Sequence, residues 1–430
     1  MRLEKYQEIV GGRLKHSGHD YIEFAKQYGT PLYIFDEASF RERILAYRKA
    51  VENPYFETEV LYASKALLTK AIARIIAELG IGQDVVSAGE IYTGVRQGFD
   101  PKRMYFHGNN KLNEEIRYAI DKRVGTIVVD NRMEIDRISQ IAAEFETKQR
   151  VLLRLNPGVE AHTHEYIMTA NLDSKFGESV FDPEIYAIIQ SMVASPHLEF
   201  AGFHSHIGSQ IFEADSFYKA ASELLKFSAE VQARLGIEIS EINFGGGFGV
   251  YYTSEDKPFD VIQFLPDFME HVHKEAQALN IQLKKVTIEP GRSLVNASGS
   301  TLYEVGDLKH TAGGKDYAFI DGSMNDNIRP ALYQAKYEAL VVNKAAEAGD
   351  TVYTIAGKAC ESGDKIIEDI SLPLLETGDL LLVNGTGAYN YSMASNYNRI
   401  PRPAMIHVNQ EEHYLTVKRE SFEEMSLREI

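Results

Sequence analysis

Residues 59–86 read EVLYASKALLTKAIARIIAELGIGQDVV. The β-branched run Glu59–Ala63 predicts a strand, Leu67–Leu79 carries apolar residues at helical spacing, and Gln83–Val86 predicts a second strand. Strand, helix and strand in that order imply parallel strands joined by a crossover helix. The unit recurs. Further strands are expected at Met104–Phe106, Thr126–Val129, Val151–Leu155, Glu199–Phe203, Glu241–Phe244 and Lys285–Ile288. Amphipathic stretches lie between them, at Asn113–Lys122, Met133–Phe145, Pro183–Val193, Ala214–Leu235 and Val261–Asn280. The first four strands begin about every 22 residues, and later units are longer. Eight such units over ~250 residues match a (β/α)8 TIM barrel. An open doubly wound sheet is the other fold with this pattern. The strand ends favour the barrel. Nearly every strand ends in a chemically capable residue: Lys65, Asp84, Asn109, Asp130, Asn156, His206, Gly245–Gly247 and Glu289. A barrel gathers them at one mouth, whereas an open sheet spreads them along an edge.

After Arg292 the pattern changes. Leu302–Leu308, Tyr317–Asp321, Tyr337–Val342, Thr351–Ala356, Leu380–Val383, Ala404–Val408 and Glu412–Lys418 read as strands without long helices between them. Gly-containing turn signals separate them, as in Ala312-Gly313-Gly314 and Thr377-Gly378-Asp379. This predicts a mostly antiparallel C-terminal β domain. Leu32–Phe35 reads as one more strand, able to pair with that domain. The expected boundaries are 36–292 for the barrel, with 1–35 and 293–430 forming the β domain.

The net charge of −17 argues against a nucleic-acid or anionic-membrane partner, which needs a basic surface. A small anionic ligand remains compatible, held by a few Arg and backbone N–H groups. The lone Cys360 excludes an intrachain disulfide framework. MRLEKYQEIV lacks the apolar core of a signal peptide, and no run of ~18 apolar residues occurs. A cytoplasmic enzyme or binding protein is the expectation.

Lys65, at the end of the first strand, suits a Schiff-base amine, although a surface Lys after a strand is the plainer reading. Gly245-Gly246-Gly247 follows strand seven, where barrels often bind phosphate; a tight turn is the alternative. In Glu289-Pro290-Gly291-Arg292 the Arg can grip a phosphate or carboxylate. Glu289 can hold a ring nitrogen protonated, or simply pair with an Arg. His204 and His206 lie two apart at the end of strand six and invite a metal reading. Zinc needs three or four ligands, the other strand ends are expected to add no His or Cys, and His162 and His164 sit in a loop; no metal is expected. Cys360-Glu361 can serve as proton donor and substrate ligand, or Cys360 can be a small buried apolar residue. Asn384–Asn398 lacks periodicity and reads as a functional loop.

Taken in order, these motifs resemble the alanine-racemase-like, fold type III family of pyridoxal phosphate decarboxylases. The resemblance runs from about Gly29 to Val408. It rests on Tyr62–Lys65, Asp84–Glu90, Arg154–Pro157, Thr163-His164 through Lys175-Phe176-Gly177, His204–Gln210, Gly245–Gly247, Glu289–Arg292, Asn327–Tyr333, Cys360–Asp364 and Gly387-Ala388-Tyr389. Gly158 and Ala170 depart from the pattern, where many relatives carry Asp and Gly. The resemblance implies pyridoxal 5'-phosphate as cofactor, bound through Lys65. It implies that Glu289 contacts the pyridine nitrogen and His206 stacks on the ring. Ser209, Gly247, Gly291 and Arg292 would hold the phosphate, and Tyr389 would also touch the cofactor. Asp84, Glu90 and Arg154 would supply supporting charges. Arg292, Arg329, Tyr333, Glu361 and Tyr389 would bind substrate. Lys65, Cys360, His206 and Glu289 would carry the catalysis, with Cys360 and Glu361 reaching the site from the partner in a homodimer. The implied substrate is meso-2,6-diaminopimelate and the product L-lysine, because an Arg pair suits a second carboxylate. Decarboxylation of ornithine, arginine or carboxynorspermidine is the alternative within the family, and a metal-dependent barrel hydrolase the alternative outside it.

Overall fold

The computed structural model describes residues 1–158 and 174–430. His162, Thr163, His164 and Ala170 lie outside the described residues. The chain divides into two compact units. One comprises Arg43–Val250 and Pro258–Ser293, the other Met1–Glu42, Tyr251–Lys257 and Leu294–Ile430.

The first unit is a closed barrel. Its parallel strands, among the described residues, are β1 (Glu57–Ala63), β2 (Gly82–Val85), β3 (Met104–Phe106), β4 (Thr126–Val129), β5 (Gln149–Asn156), β6 (Leu198–His204), β7 (Glu241–Asn243) and β8 (Lys285–Ile288). They pair in sequence order, and β8 returns to β1 through Val286↔Thr58 and its neighbours. That last pairing decides between the two expected folds, because an open sheet leaves its outer strands unpaired.

Each element has a local cause. β2, β3 and β4 are buried along their whole lengths, as expected of parallel strands covered on both faces. The helix Lys70–Leu79 starts where the Thr69 side chain accepts from the Ile72 N–H and stops at left-handed Gly80. Its buried face is Ile72, Ala73, Ile75 and Ile76. Inside the barrel, Leu61, Tyr105, Val128, Leu152 and Ala201 form one buried cluster from five strands. Glu241 adds a polar layer, taking hydrogen bonds from the Tyr105 hydroxyl (2.5 Å) and the Thr287 hydroxyl (3.1 Å) and an ion pair from Arg150 (2.5 Å). Packed residues therefore fill the interior, and the strand ends present chemistry at the mouth.

The second unit is a mixed sheet. Gly299–His310 lies centrally, antiparallel to Asp316–Ile320, Leu380–Asn384 and Leu32–Asp36. Two pairings are parallel, Leu32–Asp36 with Ala404–Val408 and Asp316–Ile320 with Thr351–Ala356. The early strand thus joins the C-terminal sheet between two of its strands. Leu14, Tyr21, Phe24, Leu32, Ile34, Leu302, Leu382 and Ile406 belong to the core beneath it. Three features were not anticipated from the sequence: the strand Lys365–Leu372, the helix Ala88–Arg96, and the N-terminal antiparallel strands Gln7–Val10 and Arg13–His16. KIIEDISL mixes apolar and acidic residues without clean alternation, which hides its strand character.

Candidate active site

Glu289 follows β8 and is buried at the barrel mouth. Three donors meet its carboxylate. His107 Nε2 donates to Oε1 at 2.8 Å, Asn243 Nδ2 donates to Oε1 at 2.7 Å, and His204 Nε2 donates to Oε2 at 3.0 Å. Burial alone would raise the Glu289 pKa, but His107 and His204 outweigh it and hold the group well below the usual carboxylate range. Asp84, on β2, sits 3.7 Å from His107 Nε2. Burial pushes its pKa up, with His107 opposing, and its Oδ1 lacks a hydrogen-bond partner. Of these two neighbouring buried acids, Glu289 therefore keeps the negative charge.

His206 lies just beyond β6. Its Nδ1 accepts the Gly246 N–H at 3.1 Å, so the remaining proton of the neutral ring is on Nε2. Burial, reinforced by Lys65 and Arg154, drives its pKa well below the usual histidine value. Burial likewise lowers His204, to about 4. Lys65 occupies the turn Ser64–Ala66 after β1, and its charge also acts on Asp84 and Glu90. Glu90, half-buried, accepts the Val86 N–H at 2.6 Å and is pushed up to about 7, chiefly by burial. Arg154 lies 3.8 Å from Asp130 and 4.5 Å over the Phe176 ring.

The glycine run is enforced by space. A Cβ on Gly245 would come 2.6 Å from Ser205 O, one on Gly246 2.2 Å from Glu289 O, and one on Gly247 2.3 Å from Gly208 O. A Cβ on Gly291 would meet Ala63 Cβ at 2.8 Å. Arg292 places Nε and Nη2 each 3.2 Å from the Ser209 hydroxyl.

A family model described as the pyridoxal binding domain of the pyridoxal-dependent decarboxylases matches residues 37–296. The chain is 46% identical over 414 residues to the diaminopimelate decarboxylase of Bacillus subtilis (strain 168), covering 96% of this chain and 94% of that one. It is 41% identical to the diaminopimelate decarboxylase of Staphylococcus aureus (strain COL), over 99% of each chain. The chain belongs to the pyridoxal-dependent decarboxylases. A crystal structure of the M. jannaschii diaminopimelate decarboxylase in complex with L-lysine superposes with a TM-score of 0.91 at 32% identity, covering 99% of this chain and 98% of that one.

The mouth fits the cofactor of this family. A carboxylate kept anionic suits a protonated ring nitrogen. A ring fixed edgewise by Gly246 offers a flat face. A side-chain-free loop beside Ser209 and Arg292 suits a phosphate.

In the other unit, Arg329 is buried. Its Nη1 donates to the Tyr337 hydroxyl at 2.5 Å, its guanidinium stands 4.5 Å over the Tyr252 ring, and its Nε has no hydrogen-bond partner. Tyr333 ends the same short helix and is half-buried. Cys360 is exposed, which overturns the alternative of a small buried apolar residue. Its N–H donates to Asn398 Oδ1 at 2.7 Å, tying it to the 384–398 loop. Glu361 is exposed beside it. Tyr389 takes a positive φ of 64°.

Two residues escaped the sequence reading. The strand ends were expected to add no further histidine, yet His107 follows β3 directly and is buried, while Asn109, expected at that strand end, is exposed. His107, His204 and Glu289 bring three possible ligand atoms within 4.8 Å of one another. Asn243 falls inside the expected strand Glu241–Phe244, with no role attached to it. Its place at the end of β7, like that of His107 after β3, was the available signal.

Proposed function

We propose that this protein removes CO2 from meso-2,6-diaminopimelate to give L-lysine, with pyridoxal 5'-phosphate as cofactor. The near full-length identity to diaminopimelate decarboxylases carries this reading. Lys65 is the amine that holds the cofactor covalently. When bound, the cofactor supplies a cationic conjugated ring that takes up the electron pair left as the Cα–carboxylate bond breaks and CO2 departs. Glu289, held as an anion, keeps a proton on the ring nitrogen. His206 presents its flat face to the ring. Ser209, Gly247, Gly291 and Arg292 bind the phosphate, and Asp84, Glu90 and Arg154 fix the surrounding charge. Arg329 pairs with the carboxylate that stays on the substrate. Its buried, partly unpartnered guanidinium supports a dicarboxylic substrate over a simple diamino acid. Tyr333, Glu361 and Tyr389 complete the substrate contacts.

The protein acts as a cytoplasmic homodimer. Cys360 of the partner subunit returns a proton to Cα. Exposure of the Cys360–Glu361 turn is compatible with reaching a second copy.

The test is a visible spectrum of the purified protein followed by CO2 release from several amino acids. The expected result is a yellow protein that prefers meso-diaminopimelate over ornithine and arginine by about 100-fold or more in kcat/KM. A colourless protein after incubation with pyridoxal phosphate, or equal use of ornithine, overturns the reading.

A further inference from the structure

Glu289 is more tightly held than its expected role alone requires. An ionised carboxylate offers about four acceptor positions. His107 and Asn243 take both positions on Oε1, and His204 takes one on Oε2. Among the described residues, one position on Oε2 remains. His107 has no other task in the proposed chemistry. Its backbone N–H is fixed to Val85 O of β2 at 2.8 Å. Its ring meets that of His204 edge-on, with centroids 4.7 Å apart. β3 thus delivers a rigid donor to a carboxylate 182 residues away in sequence.

We propose that His107 is a positioning residue, which with His204 and Asn243 orients Glu289 so that one Oε2 position faces the ring nitrogen of the cofactor. The inference rests on the pyridoxal phosphate reading. Asn243 gives the arrangement a second link, because its Oδ1 accepts the Gly245 N–H at 2.9 Å. The same amide therefore sets both the carboxylate and the first glycine of the phosphate-binding loop. Among the described residues, the charged and titratable groups around Glu289 include His107 after β3, His204 and His206 at β6, Asp84 on β2 and Arg154 on β5. Removing the His107 donor leaves Glu289 easier to protonate, since hydrogen bonds to the charged form favour that form.

The experiment compares wild type, His107→Phe and His107→Gln by circular dichroism, cofactor titration across pH, and elemental analysis. Phe keeps a flat ring without the donor, and Gln restores an N–H. His107→Phe should fold yet bind pyridoxal phosphate about 10- to 100-fold more weakly, the range for a lost hydrogen bond to a charged group. That deficit should grow as the pH falls from about 8 to about 5, because Glu289 is protonated sooner. His107→Gln should recover most of the affinity. The proposal is overturned if His107→Phe binds like wild type at every pH, or if His107→Gln is as impaired as His107→Phe. A stoichiometric divalent cation in wild type, lost in His107→Phe, also overturns it, since the three side chains would then be metal ligands. A wild type that takes up no pyridoxal phosphate overturns the function reading itself, so the two failures are distinguishable.

Discussion

Lys65 sits in a single turn after β1, its neighbours Ser64 and Ala66 buried and its own side chain exposed. That placement leaves an amine at the barrel mouth on a backbone that cannot easily move. Lys65→Ala should therefore fold normally and lose both the visible absorbance and the product trapped by borohydride. Peptide mapping of the reduced wild type should find the pyridoxyl group on Lys65; finding it on another lysine refutes the assignment. At this scale the sequence was informative about placement: Lys65, Glu289 and the glycine run stand after barrel strands as their motifs imply. It was uninformative where a role depends on a pair. Phe106-His107-Gly108 carries no local sign that the ring meets Glu289, because only closure of the barrel brings β3 and β8 to the same mouth. Cys360 left two readings open, a proton donor and a small buried apolar residue. Composition makes a lone Cys look buried, but the turn that carries it is held by Asp364, whose carboxylate accepts the Met324 and Ala359 N–H groups, and this leaves the thiol outside.

At the scale of elements, the loop after β7 has no spare volume. Gly246→Ala places a methyl 2.2 Å from Glu289 O, against backbone that is itself paired to Gly245 O. The loop must shift, at a cost of about 1–3 kcal/mol, and the Gly246 N–H must leave His206. The expected outcome is a modest fall in melting temperature with a large loss of cofactor affinity, measured by thermal melting and titration; unchanged affinity would show that the loop does not set the site. The segment before the Arg329 helix makes a pH prediction. Asp326 is buried, accepts the Tyr303 hydroxyl at 2.6 Å and the Ser323 N–H at 2.7 Å, and is pushed by burial from 3.8 up to about 7. Between about pH 4 and 7 the folded state then binds a proton that the unfolded state lacks, so stability falls as the pH rises through that window. Melting temperature should be higher near pH 5.5 than near pH 8 by this contribution. Asp326→Asn should flatten the slope, since its side chain no longer titrates; an unchanged slope would exclude Asp326 as a source. The barrel strands and long helices were legible because their periodicity is local: Met104–Phe106, Thr126–Val129 and Ala214–Leu235 begin and end where the pattern does. Short strands such as Gln7–Val10 were not, because four residues carry too little pattern and pairing partners decide them.

For the whole molecule, the chain carries its expected chemistry in two units. Lys65, His206 and Glu289 belong to the barrel, while Arg329, Cys360, Glu361 and Tyr389 belong to the sheet unit. The proposed homodimer makes a prediction that a site built within single subunits does not share. Let Lys65→Ala and Cys360→Ala each be nearly inactive, and let them be mixed under conditions that allow subunit exchange. If each site takes Lys65 from one subunit and Cys360 from the other, a mixed dimer has one site with both lesions and one with neither. Random pairing makes about half of the dimers mixed, and each has one good site of two, so activity should recover to about a quarter of wild type. Sites confined to single subunits give no recovery, because every chain then carries a lesion in its own site. Exchange is followed independently by mass spectrometry of subunits carrying different tags. Proven exchange without recovered activity would refute the shared site and still leave the decarboxylase assignment intact, since that rests on the barrel and on likeness along nearly the whole chain.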